Sequence, residues 1–130
     1  MADSESDWHA AETYKSLIHF GSFGLRFVLI INGGAALALM TFLGNVVTKS
    51  GITLDFRWPM SLFLAGIIVG GFALVAAYLT QLTLYNESTN KRDPARTLNH
   101  RVLLTISVIL TVIGMLCFLI GAFLAVAKLA

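Results

Sequence analysis

The sequence predicts an all-α membrane protein: an up-down-up bundle of three long transmembrane helices with helical extensions on one side. Two observations predict it. Three windows, residues 27–47, 58–86 and 102–127, contain no charged residue, and about 20 apolar residues rising about 1.5 Å each cross a hydrocarbon core of about 30 Å. All seven acidic and all nine basic residues lie outside them. We therefore expect one transmembrane helical domain over residues 1-130, with spans at about 27-47, 59-84 and 102-127. No segment remains for a separate soluble catalytic domain.

The first element carries an amphipathic N-terminal extension, 10-26. There Tyr14, Leu17, Ile18, Phe20, Phe23 and Leu25 interleave with Glu12, Lys15, Ser16, His19, Ser22 and Arg26, and the polar set recurs at helical spacing. One helix from about residue 10 to about residue 48 follows, although Gly21 and Gly24 each cost about 1 kcal/mol relative to alanine. The acidic start of the chain and the lack of a cleavage signal predict an uncleaved anchor. The next connection contains Ser50-Gly51 and closes on Trp58-Pro59, which predicts a second helix with Pro59 in its first position and Trp58 at the headgroups. Asp93-Pro94 then reads as an N-cap followed by proline, starting a third helix that runs almost to Lys128.

Lys15, Arg26, Lys91, Arg92, Arg96 and Arg101 fall on one side of the spans, and Lys49, Arg57 and Lys128 on the other. This six-to-three bias predicts a cytoplasmic N-terminus and second connection and an external C-terminus. The formal net charge of +2 comes from residues flanking the spans, where they meet anionic headgroups. The expected partner is therefore the lipid bilayer and not nucleic acid. Arg26, Arg96 and Arg101 are the candidate headgroup contacts.

Small residues at Gly66, Gly70, Ala73 and Ala77 step by four, three and four along the second span. They predict a close helix-packing face, serving either the bundle itself or a homo-oligomer. Gly33, Gly34 and Ala36 beside Asn32 predict a crossing of the first two helices at the depth of Ala73 and Ala77. Ser107, Gly114 and Gly121 recur every seven residues on the third span, near Cys117. Asn32, with Thr41 and Asn45, is a candidate either for interhelical hydrogen bonding or for pore lining. His19 and His100 lie near the same surface and are expected to be interfacial, the alternative being a haem or metal pair.

No carboxylate lies within a span, and neither a metalloprotease, nucleophile-elbow, phosphate-loop nor CxxC motif occurs. The sequence thus predicts a non-enzymatic protein with no catalytic, cofactor or metal site. The run Leu29-Ile30-Ile31-Asn32-Gly33-Gly34-Ala35-Ala36-Leu37-Ala38-Leu39, with Ala77-Tyr78-Leu79-Thr80-Gln81, resembles a group of small, uncharacterised three-span bacterial inner-membrane proteins. That resemblance implies a bacterial inner-membrane location and supplies no activity or site residue. Succinate dehydrogenase anchor subunits are similar in length and span count, but their Ser-x-x-His-Arg signature is missing from the first span; His100-Arg101 begins the third. The expected role is oligomerisation or accompaniment of a larger membrane complex. The alternatives are a holin-like homo-oligomeric pore, which the lack of a basic cytoplasmic tail disfavours, and a quinone- or haem-binding anchor.

Overall fold

The computed structural model describes residues 2–50, 55–88 and 99–129. It contains helices α1 (Ala2–Ser50), α2 (Arg57–Ser88) and α3 (His100–Ala127), each long and apolar enough to cross a membrane. The uncharged stretches form helices because no internal proline or run of turn residues interrupts them. Gly21 and Gly24 do not break α1, since a cost of about 1 kcal/mol each is small beside a helix of 49 residues.

The starts of α2 and α3 can be traced to local chemistry. The Phe56 carbonyl accepts from Met60 N at 3.0 Å, and Asp55 Oδ1 accepts from Arg57 N at 3.2 Å. Pro59 is consequently the third helical residue and not the first. Its missing N–H still costs nothing, because that position has no intrahelical acceptor. At α3, Asn99 is extended (φ −63, ψ 113) and its Oδ1 accepts from Arg101 N at 3.1 Å. The third helix therefore begins at His100, and no helix continues through Asn99 from Pro94; Asp93-Pro94 itself lies outside the described residues.

The helices pack in the order up-down-up. Val28 of α1 meets Gly70 of α2 and Gly114 of α3, and Phe42 meets Phe56 edge-on at 6.1 Å, so α1 and α2 are antiparallel. Ser107 bonds to Ala73 and Gly121 abuts Phe63, which makes α2 and α3 antiparallel as well. The α2–α3 interface is the most extensive of the three.

Each helix offers one inward seam of residues three and four apart. On α1 it is Val28, Asn32, Ala36 and Leu39; on α2 Phe63, Gly66, Gly70, Ala73, Ala76 and Thr80; on α3 Leu103, Ser107, Gly114 and Gly121. Apolar side chains cover the remaining faces of α2 and α3, with Ile68 and Phe123 among the most exposed. An apolar exterior around a small-residue interior inverts the soluble pattern and suits a lipid surround.

The register departs from the sequence-based expectation. Asn32 lies level with Gly66, not with Ala73 and Ala77. Phe56, at the start of α2, is level with Phe42, so α1 overshoots α2 by about two turns before the chain returns. Val28 pairs with Gly114, an offset of 86 residues between parallel helices; by that offset, residues 14–26 of α1 stand level with 100–112 of α3. Most of the amphipathic segment thus stands level with the other two helices and not beyond them. Every described side chain from Trp8 to Phe23 is exposed, which means that α1 diverges from α2 and α3 over this stretch.

Candidate functional site

The most constrained chemistry in the bundle is a buried polar junction where all three helices meet. Asn32 has no exposed surface. Its Nδ2 donates to Val28 O one turn back at 2.9 Å and across to Gly114 O on α3 at 3.1 Å. Both amide protons are used, and Oδ1 is left without a hydrogen-bond partner. It faces Gly66 of α2, where an added Cβ would collide with Oδ1 and lie 2.5 Å from Cγ. The second Cα hydrogen of Gly66 points the same way, giving a weak Cα–H···O contact of the kind found at helix interfaces.

Around this point the glycines leave the space that neighbouring side chains fill. A Cβ at Gly114 would lie 2.7 Å from Val28 Cγ1, one at Gly70 2.9 Å from Leu29 Cδ2, and one at Gly121 2.9 Å from Phe63 Cε1. Ala36 and Ala73 are buried at 4 % and 0 % exposure, and Ala76 is buried more deeply than Ala77. Gly33 and Gly34 behave differently: a Cβ at either meets nothing within 4 Å, so neither forms a helix contact within the chain. Both lie away from the seam that begins with Val28 and Asn32.

A second polar contact lies about two turns away. Ser107 Oγ donates to Ala73 O at 3.0 Å and ties α3 to α2. Sequence reading placed Ser107 on the small-residue seam but missed this donor; a hydroxyl recurring in step with Gly114 and Gly121 was the available signal. Thr80 is also buried, at 2 % exposure, with its hydroxyl satisfied by Ala76 O at 2.8 Å.

The other sequence-predicted polar residues are not gathered with Asn32. Thr41 and Asn45 are exposed on the opposite side of α1, where Thr41 Oγ1 donates to Leu37 O and Asn45 Nδ2 to Thr41 O. Arg26 is exposed and two residues from Val28, which places it level with the middle of α2 and α3, not at their ends. Arg101 is exposed at the start of α3, and Arg96 lies outside the described residues. His19 is exposed and edge-on to Phe20 at 6.3 Å, while His100 is half-buried. Among the described residues, no group of three or more His, Cys, Asp or Glu side chains is placed to hold a metal ion.

An amide, a hydroxyl and backbone carbonyls can fix helix register and hold backbones close. They provide neither a proton-transfer group nor an activated nucleophile. No protein-family model, curated protein or solved structure matches the chain.

Proposed function

We propose that this chain is a non-enzymatic, three-span integral protein of a bacterial inner membrane that works by assembly, as a homo-oligomer or as an accessory subunit of a membrane complex. With Arg26 placed at mid-bundle, the remaining five-to-three bias of Lys15, Lys91, Arg92, Arg96 and Arg101 over Lys49, Arg57 and Lys128 supports a cytoplasmic N-terminus and second connection and an external C-terminus. Spans of 29 residues on α2 and 28 on α3 are about 42–44 Å long. This length suits a bilayer of about 40–45 Å with its headgroups.

The observation that carries the assembly reading is the outward face of α1. Arg26, level with the centres of α2 and α3, shares that face with Gly33, Gly34, Thr41, Gly44 and Asn45, and a Cβ added at any of its glycines would meet nothing within 4 Å. An arginine at bilayer depth costs about 2.5–3.5 kcal/mol on insertion scales, and small residues facing lipid forgo the packing that joins helices. A second helix crossing at Gly33 and Gly34 would recover that packing and shield Arg26 from lipid. The small-residue face of α2 is filled by α1 and α3 and has no room for another copy.

The test is the native mass of the full chain in mild detergent. Gly34→Ile should dissociate the oligomer while preserving helix content and thermal stability; an oligomer unchanged by both Gly33→Ile and Gly34→Ile removes this reading. The same face favours a second reading, a ring of copies enclosing a water path lined by Arg26, Thr41 and Asn45. Asn32, held between three helices, would take no part in it. In planar bilayers the pore reading requires an anion conductance that Arg26→Leu abolishes, whereas the scaffold reading requires none.

A further inference from the structure

The divergence of α1 from α3 opens an apolar groove of about 210 Å³. Its α1 wall is Gly24, Phe27 and Val28, and its α3 wall includes Thr111, Met115 and Leu116. Thr111 adds no polar demand, because its hydroxyl donates to Ser107 O at 2.7 Å. Gly24 forms part of the floor without a side chain, and an added Cβ there would meet nothing within 4 Å.

The α3 wall continues along one helical face through Val108 and Leu104 to Arg101, in steps of three and four. The two ion pairs among the described residues are Glu12–Lys15 and Asp55–Arg57, so no carboxylate there engages the Arg101 guanidinium. Arg101 to Met115 is fourteen residues, about 21 Å of helix. That is half of a bilayer of about 40–45 Å measured with its headgroups. With Arg101 at the headgroups, the deep end of the groove therefore reaches the bilayer midplane.

The geometry points to a binding site for a single phospholipid, its phosphate on Arg101 and one acyl chain lying in the groove between α1 and α3. The charge complementarity is specific to this occupant, since a guanidinium pairs with phosphate oxygens through charge-assisted hydrogen bonds while the apolar walls accept only hydrocarbon. A helix of a second copy could offer Arg101 a carboxylate such as that of Glu12, but no acyl chain to fill the groove. The inference rests on the membrane-spanning reading of the three helices and is independent of assembly through the outward face of α1.

The test uses the full chain in phosphatidylglycerol vesicles in which a fraction of the lipid carries a photoreactive diazirine near the end of an acyl chain. Irradiation should label Met115, Leu116 and Phe27 in preference to Ile68 and Phe72, which face lipid elsewhere. Gly24→Leu fills the groove without a collision and should reduce groove labelling to the level of those outer residues. After washing in detergent, phospholipid retained by Arg101→Gln should be roughly tenfold lower, as expected on losing a charge-assisted contact. Arg101→Lys should retain most of it, and Arg26→Gln, on the opposite face of α1, all of it. Uniform labelling around the bundle, or labelling and retention unchanged by both Gly24→Leu and Arg101→Gln, would overturn the site. Chain released from the vesicles by alkaline carbonate would overturn the spanning reading and this inference with it.

Discussion

Replacing Gly66 by alanine adds one methyl group at the point where the Asn32 carboxamide rests on α2. In an isolated helix the change is favourable by about 1 kcal/mol. Here the new Cβ would overlap Oδ1 and come within 2.5 Å of Cγ, and the carboxamide is not a free tip, because its Nδ2 is tied to Val28 O and Gly114 O. Relief requires either the loss of the bond to α3, worth about 0.6–2 kcal/mol, or separation of the helices at an overpacking cost of about 1–3 kcal/mol. Either cost offsets the propensity gain, and the net expectation is a loss of up to about 2 kcal/mol. Gly34→Ala, in open space, should keep the gain. Reversible unfolding in detergent measures both. The variant Asn32→Ala makes room for the methyl group, so the Gly66→Ala/Asn32→Ala double variant should be more stable than the sum of the single changes, by about 1 kcal/mol or more. Gly66→Ala as stable as Gly34→Ala, or a double variant with purely additive losses, would refute the junction as described.

Three further outcomes follow from other parts of the structure. Ser107→Ala removes the α3–α2 hydrogen bond and should cost about 0.6 kcal/mol, at most about 1.7, in the same unfolding assay, whereas Thr105→Ala, whose hydroxyl bonds its own helix, should cost less. Asn99→Ala removes the cap of α3 and should lower stability by about 1 kcal/mol, with faster amide exchange confined to the first turn from His100. A reporter fused after Ala130 should score as external and one inserted at Asn90 as cytoplasmic; removing Lys91, Arg92, Arg96 and Arg101 together should give mixed orientation, and a reversed parental pattern would contradict the charge-bias argument.

The spans and the inward seams of α2 and α3 were legible because a membrane bundle writes its packing in small residues at helical spacing. Gly66, Gly70, Ala73, Gly114 and Gly121 all lie where backbones approach. Gly33 and Gly34 look the same in composition but sit on the other side of α1. The phase set by Val28, Asn32 and Leu39 distinguishes them, and that phase becomes meaningful only once Asn32 is known to point inward. The register of α1 against α2 was not legible, since sequence gives helix lengths but not how far α1 runs past the start of α2. The depth of Arg26 depends on that register. Read from α1 alone it borders an uncharged window; packed against Gly70 and Gly114, its neighbour Val28 brings it to mid-bundle. The start of α3 was misplaced because Asp93-Pro94 and Asn99 are both N-cap signals, and local composition does not rank them.

Cysteine cross-linking in native membranes tests the central claim, that α1 turns an assembly face outward while the small-residue face of α2 is closed. In a Cys117→Ala background, Gly34→Cys should form a disulfide-linked dimer on mild oxidation, with cross-linking recurring at Thr41 and fading at Ala36, which is buried on the inward seam. Gly70→Cys, packed beneath Leu29 and Val28, should stay monomeric. Cross-linking at Gly70 with none at Gly34 would contradict the account.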